Sequence, residues 1–139
     1  MIHEFNPVIY PTRVWVARST VSIEEIEKIF DAITGEGYGV PFRSKYTTLL
    51  EATSDASTFI VGHKEKNVTG CLVIISDEVM TKTLSHEACH CADYLFETIG
   101  DTERTYDHGE PYAYYQSWVF DCLFNVREDE NIPLHDTAL

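Results

Sequence analysis

The pentapeptide at residues 86–90, His-Glu-Ala-Cys-His, constrains the fold of this chain more than any other stretch. His86 and His90 are four residues apart, and this separation places two side chains on the same face of an α-helix. Two imidazoles in that arrangement can bind one metal ion, and histidine ligands favour Zn²⁺. Glu87 can reach a water on the metal rather than the metal itself, which is the position of a general base. The pattern therefore predicts a helix with two zinc ligands and a base.

The sequence around the pentapeptide is typical of a helix that packs on a sheet. Residues 71–75 form a continuous apolar run that predicts a central strand. A helix is expected from about residue 79 to residue 98, and Gly100 is expected to end it. Asp93 follows His90 by three residues, where it can accept a hydrogen bond from a ligand imidazole and fix its tautomer. One stripe at helical spacing consists of Ser85, His86, Cys89, His90 and Asp93.

A catalytic zinc site needs a third protein ligand and one open position for water. The polar connection after the predicted helix offers Asp101, Glu103 and His108 as candidates. Glu110 is a fourth candidate, twenty residues after His90, and it lies at the start of a second predicted helix over residues 111–126. The residues alone leave all four candidates open.

At this point the chain resembles the gluzincin metallopeptidases, the thermolysin-like class, and its specific matches are His86, Glu87, His90 and Glu110. The resemblance covers residues 68–125. It implies that Glu110 is the third ligand, that Zn²⁺ is the cofactor, and that the substrate is a peptide or protein.

Three further comparisons of sequence bear on this resemblance. Residues 109–114, Gly-Glu-Pro-Tyr-Ala-Tyr, are similar to small zinc-peptidase-like proteins of bacteria and their phages. The Gly-Thr-x-Asp signature of the zincins with an aspartate ligand, which would favour Asp101, is absent. The chain departs from thermolysin-like enzymes because Glu110 begins its helix rather than lying well inside it, and because 139 residues leave no room for their second helical domain.

Two residues beside Glu110 are candidates for catalysis. His108 could donate a hydrogen bond to an oxyanion, and the alternative is an ordinary surface histidine. Tyr114 lies one helical turn after Glu110 and could position that carboxylate or polarise a carbonyl. The alternative for Tyr114 is an apolar helix face, shared with Tyr112, Tyr115 and Trp118.

Composition limits the class of protein. A hydrophobic fraction of 44% in 139 residues predicts one globular domain, residues 1–139. The net charge of −13 argues against nucleic acid or an anionic membrane as a partner. Neither a signal peptide nor an apolar run of membrane-spanning length is visible, so we expect a cytoplasmic protein whose four cysteines are reduced and serve packing.

The rest of the chain predicts a few further elements. Residues 14–17 read as a strand, Ser22 and Glu25 as a capping box for a helix over residues 23–33, and residues 35–41 as a loop. Residues 46–51 fit either a helix or an extended segment. Residues 127–139 are expected to be a surface tail. His3 and His135 are expected to lie in solvent, and His63 is expected at the surface, where it ends a strand.

Residues 58–63 and 68–75 predict an antiparallel hairpin directly before the zinc helix. In zinc peptidases of this design an edge strand pairs with an extended substrate. The predicted fold is therefore α+β, a minimal zincin-like core in which a small antiparallel or mixed sheet packs on the motif helix and a following C-terminal helix.

Two functions from different classes fit these patterns. One is a zinc-dependent metallopeptidase in which Glu87 activates a zinc-bound water. The other is a zinc-stabilised structural or binding protein of phage origin, without turnover, in which four ligands close the metal site. A third interpretation is that no metal binds and both histidines are ordinary helix residues.

Overall fold

The computed structural model of the chain describes residues 1–34, 37–42, 55–103 and 105–128. Within these ranges the fold is α+β, with six strands in one mixed sheet and three helices, which confirms the predicted class. In chain order the elements are β1 (Ile2–Phe5), β2 (Arg13–Arg18), α1 (Ile23–Ile29), β3 (Phe30–Thr34), β4 (Gly37–Pro41), β5 (Ala56–His63), β6 (Thr69–Ile75), α2 (Thr81–Thr98) and α3 (Glu110–Glu128).

The sheet has the strand order β1-β2-β6-β5-β3-β4. β6 is a central strand, as its apolar sequence predicts, and it pairs in parallel with β2 and antiparallel with β5. The remaining neighbours are antiparallel. The β5–β6 pair is the predicted hairpin, and it leads directly into α2.

Side chains alternate between the two faces of the sheet, and each face has its own core. On one face Val14, Cys71 and Val73 pack beneath α2 and α3. On the other face Trp15, Leu72 and Ile74 pack with Ile26 of α1. The motif helix therefore lies directly on β5 and β6, in contact with α3.

The ends of α2 are fixed by specific contacts. The Asp55 carboxylate accepts a hydrogen bond from the backbone N–H of Met80, the N-cap residue, at 2.7 Å. At the other end Gly100 has φ +80°, and the N–H groups of Gly100 and Asp101 donate to the carbonyls of Glu97 and Phe96. This is a Schellman motif with glycine in the left-handed conformation, as the sequence predicts.

Helix α3 is longer than predicted, because Arg127 and Glu128 belong to the helix and not to a tail. The Arg18 guanidinium stabilises this end by donating to the carbonyls of Val126 at 2.9 Å and Arg127 at 2.6 Å. Residues 129–139, including His135, lie outside the described residues, as do residues 46–51.

The prediction of a helix over residues 23–33 is wrong in its second half. Ser22 does cap α1, since its hydroxyl accepts from the Glu25 N–H at 3.2 Å. The helix ends at Ile29, however, and Phe30 begins β3. Phe30 and Ala32 are both fully buried, so this segment follows the two-residue period of a strand.

The predicted loop over residues 35–41 is also corrected. Residues 37–41 form β4, which pairs with β3 through Ala32 and Val40 and through Asp31 and Pro41. Gly39 has φ +79°, a conformation that glycine adopts without strain. The remaining two residues of that predicted loop lie outside the described part of the chain.

One histidine differs from its predicted exposure. His3 is only 4% exposed, because it lies on β1 opposite Val16 and on the same face as Phe5. This correction arises from strand pairing. His63 ends β5 and is half-buried, and its Nδ1 accepts from the N–H groups of Glu65 and Lys66 in the β5–β6 turn.

None of the helices in the described ranges combines the length and the hydrophobicity that a membrane span needs.

Candidate functional site

The two motif histidines lie together on the outer face of α2. Both side chains are exposed, and the Nε2 atoms of His86 and His90 are 3.1 Å apart. A tetrahedral zinc ion with Zn–N bonds of about 2.0–2.1 Å holds two nitrogens about 3.3 Å apart. The separation of the two nitrogens is within a few tenths of an ångström of that value, and it is also the length of a hydrogen bond between the two imidazoles.

Glu87 occupies a different face of α2. Its side chain is only 5% exposed and points toward the sheet, where Oε2 accepts a hydrogen bond from the Thr58 hydroxyl of β5. Burial of a carboxylate is unfavourable without a hydrogen-bond donor, so this contact accounts for its placement. Thr58 was not singled out from the sequence, and its only signal was a hydroxyl residue within a predicted strand.

A groove of about 450 Å³ joins Glu87 to His86. It runs between the first turns of α2 and the start of β5, and both His86 and Glu87 line it. Its other lining residues are Asp55, Ala56, Met80, Lys82 and Thr83. A small ligand in this groove would contact the Glu87 carboxylate and the His86 imidazole at once.

Asp55 lines the groove, and both of its carboxylate oxygens accept hydrogen bonds from the protein. Its carboxylate accepts from the Ser76 hydroxyl at 2.6 Å as well as from the Met80 N–H. Burial acts to raise the pKa of Asp55, but the hydrogen bonds from Ser76, Met80 and Thr83 hold that pKa below its ordinary value. Asp55 is therefore a charged helix cap at neutral pH.

The candidates for the third ligand all lie at the surface. Asp101, Glu103 and His108 are exposed in the connection between α2 and α3, and Glu110 is exposed in the first turn of α3. In the part of the chain that the structure describes, no three His, Cys, Asp or Glu side chains converge into a group that could hold a metal ion. The structure thus brings together His86 and His90 but does not add a third ligand to them.

A set of hydrogen bonds, which we call the tyrosine clasp, joins the first turn of α3 to the motif helix. The Tyr112 hydroxyl donates to Asp93 Oδ1 at 2.7 Å and lies 3.3 Å from Cys89 Sγ. Burial raises the pKa of Tyr112, and the neighbouring Cys89 and Asp93 raise it further. Asp93, which we expected to orient an imidazole, accepts this bond from Tyr112. The clasp fixes the turn that carries Glu110 beside residues 89–93.

The other aromatic residues of α3 divide between core and solvent. Tyr115 and Trp118 are buried with their ring centroids 5.6 Å apart, as the alternative of an apolar helix face predicts. Tyr114 is 66% exposed, so it does not belong to that core. Its side chain is therefore available to a ligand.

The four cysteines are free, as expected for reduced thiols. Cys71, Cys91 and Cys122 are buried in the core beneath the helices, and Cys89 is half-buried in the clasp. Burial raises the pKa of Cys122. The hydrogen bond with Cys71, together with burial, raises the pKa of Cys91. These thiols are held in their neutral form, which suits a packing role.

Comparison with known proteins matched no protein-family model, no curated protein and no solved structure.

Proposed function

We propose that the protein is a zinc-dependent metallopeptidase that hydrolyses peptide bonds in the cytoplasm, where free thiols such as its four cysteines stay reduced. The observation that carries the proposal is the 3.1 Å separation of the His86 and His90 Nε2 atoms. It is reinforced by Glu87, which lines the same groove as His86. Two imidazoles that can share a zinc ion, with a carboxylate in the same groove, supply part of the arrangement that zinc-assisted hydrolysis uses, and a third ligand completes it.

We propose Glu110 as the third ligand, with His86 and His90 as the first two. The tyrosine clasp supports this choice, because it holds the first turn of α3 against the helix segment that contains His90. Glu110 is an exposed, long side chain at the end of a helix, so it can change rotamer without disturbing the core. Of the rivals, Asp101 is held at the C-terminal end of α2 by the hydrogen bond from its N–H to the Phe96 carbonyl, and Glu103 and His108 are exposed on the connection.

In the proposed hydrolysis, the zinc ion and the protein side chains would have different roles. A zinc ion bound to these ligands would lower the pKa of a water toward neutrality and polarise the scissile carbonyl. Glu87 would accept a proton from the attacking water and pass it to the leaving amine as the C–N bond breaks. His108 and Tyr114, both exposed near the start of α3, are the proposed donors to the carbonyl oxygen as it gains negative charge.

An extended peptide is the proposed substrate, and β5 supports this choice. β6 pairs with β5 from Ala56 to Gly62, whereas β3 pairs with β5 only from Val61 to His63. Among the described strands, none pairs with residues 56–60 on the side of β5 away from β6. An added peptide strand there would run past Thr58 and reach the groove that Glu87 lines.

The test is a Glu87→Gln variant, with Glu97→Gln as its matched control on an exposed position of the same helix. Zinc-loaded proteins are incubated with a mixed peptide library, and the cleaved bonds are read by mass spectrometry. We expect Glu87→Gln to keep its zinc and lose turnover by at least about 100-fold. Glu97→Gln is expected to cleave as the wild type does.

Two results would count against the proposal. Equal cleavage by wild type and Glu87→Gln would remove Glu87 from the role of base. A zinc-loaded wild type that cleaves no peptide in the library would favour the alternative, a zinc-stabilised structural or binding protein without turnover.

A further inference from the structure

Thr58 is a half-buried polar residue on the face of the sheet that packs beneath the helices. Its neighbours on that face of β5 are Ala56 and Ile60, which both pack in the core beneath the helices. Its partner across the β5–β6 hairpin is Val73, which is fully buried in the same core. Valine has nearly the shape of threonine but no hydroxyl, so it would occupy this position without a hydrogen-bond donor.

The Thr58 hydroxyl donates a hydrogen bond to the Glu87 carboxylate. Glu87 is buried against the sheet, and its Oε2 accepts the hydrogen bond from Thr58 Oγ1. Threonine is stiff about χ1, and β5 is held by β6 along this segment, so the hydroxyl is presented from a fixed point. The bond engages one carboxylate oxygen and leaves the other for the groove that Glu87 lines.

We propose that Thr58 is a positioning residue that orients the Glu87 carboxylate for proton transfer. This inference rests on the proposed peptidase function and adds a residue to it. Misplacement of a catalytic group by about 1 Å can reduce turnover by about 100-fold. Without the hydroxyl, Glu87 loses its anchor and samples other rotamers in the groove.

The first experiment compares Thr58→Val with Thr58→Ser in zinc-loaded protein. Ser57→Ala is the matched control, since it removes a hydroxyl from the same strand on the opposite face. We expect Thr58→Val to lower kcat by about 10- to 100-fold with KM and zinc content unchanged. Thr58→Ser should recover most of kcat, and Ser57→Ala should match the wild type. Unchanged kcat in Thr58→Val beside an active wild type would overturn the role of Thr58 and leave the peptidase proposal intact.

The second experiment needs no activity and uses metal-free protein. Thr58→Val, Glu87→Met and the double variant are compared with the wild type by thermal unfolding. We expect the Tm loss of the double variant to be smaller than the sum of the two single losses by about 5 °C, because both variants break the same bond. Additive losses would show that the two side chains do not interact. A wild type that binds zinc but cleaves nothing would overturn both proposals.

Discussion

Removal of one hydroxyl from the tyrosine clasp should loosen the contact between the two long helices. In Tyr112→Phe the ring is kept, while Asp93 loses the 2.7 Å hydrogen bond from Tyr112. A hydrogen bond to a charged acceptor contributes about 1.5–3 kcal/mol when it is buried. Asp93 and Tyr112 are both half-buried, so water compensates part of the loss. The free energy of unfolding should therefore fall by about 1–2 kcal/mol.

Urea unfolding, followed by far-UV circular dichroism, measures this change. With an m value of about 2 kcal/mol/M, the midpoint should fall by about 0.5–1 M. Tyr114→Phe is the matched control for stability: it removes a hydroxyl from the same helix at a position that is 66% exposed. Its midpoint should stay within about 0.2 M of the wild type. Equal midpoints for the two variants would refute the clasp, because the Tyr112 hydroxyl would then contribute no more to stability than the exposed Tyr114 hydroxyl does.

Two other perturbations have defined outcomes. A Cβ at Gly70 would lie 2.0 Å from the backbone carbonyl oxygen of Arg13, where β2 and β6 pair. Gly70→Ala should therefore lower the free energy of unfolding by more than about 3 kcal/mol or prevent folding, and a urea midpoint equal to that of the wild type would contradict this. Burial, together with the nearby Cys91 and Cys71 thiols, raises the pKa of Tyr115, so its contribution to stability is complete below the ordinary tyrosine pKa of about 10 and is lost as pH rises above it. Tyr115→Phe should therefore flatten the fall of stability above pH 10 by about 1.4 kcal/mol per pH unit, and an unchanged slope would contradict the assignment.

The parts of the fold that local sequence determines were predictable. The β5–β6 hairpin and α2 agree with the predicted segments to within a few residues, because each combines a clear apolar period with end signals such as Gly100. Residues 30–34 misled the prediction since Phe30 and Ile33 continue the helical spacing of α1 while they also fit a strand. Pairing with β5 decides between the two, and that contact is distant in sequence.

The candidate site was predictable only where it is local. The separation of His86 and His90 follows from helix geometry alone, and the structure brings their rings together. The bond between Thr58 and Glu87 joins residues 29 apart, so it depends on how α2 packs on the sheet. The burial of His3 has the same origin, because it follows from the pairing of β1 with β2. The identity of the third ligand depends on the course of the connection to α3, which no local pattern determines.

Zinc content tests the central claim most directly. The wild type, purified without added zinc, is analysed for metals beside His86→Ala and Glu110→Gln. We predict about one zinc per wild-type chain, almost none in His86→Ala, and a clear reduction in Glu110→Gln. A wild type without zinc, which also fails to bind added zinc, would contradict the account, and so would a His86→Ala variant that retains as much zinc as the wild type.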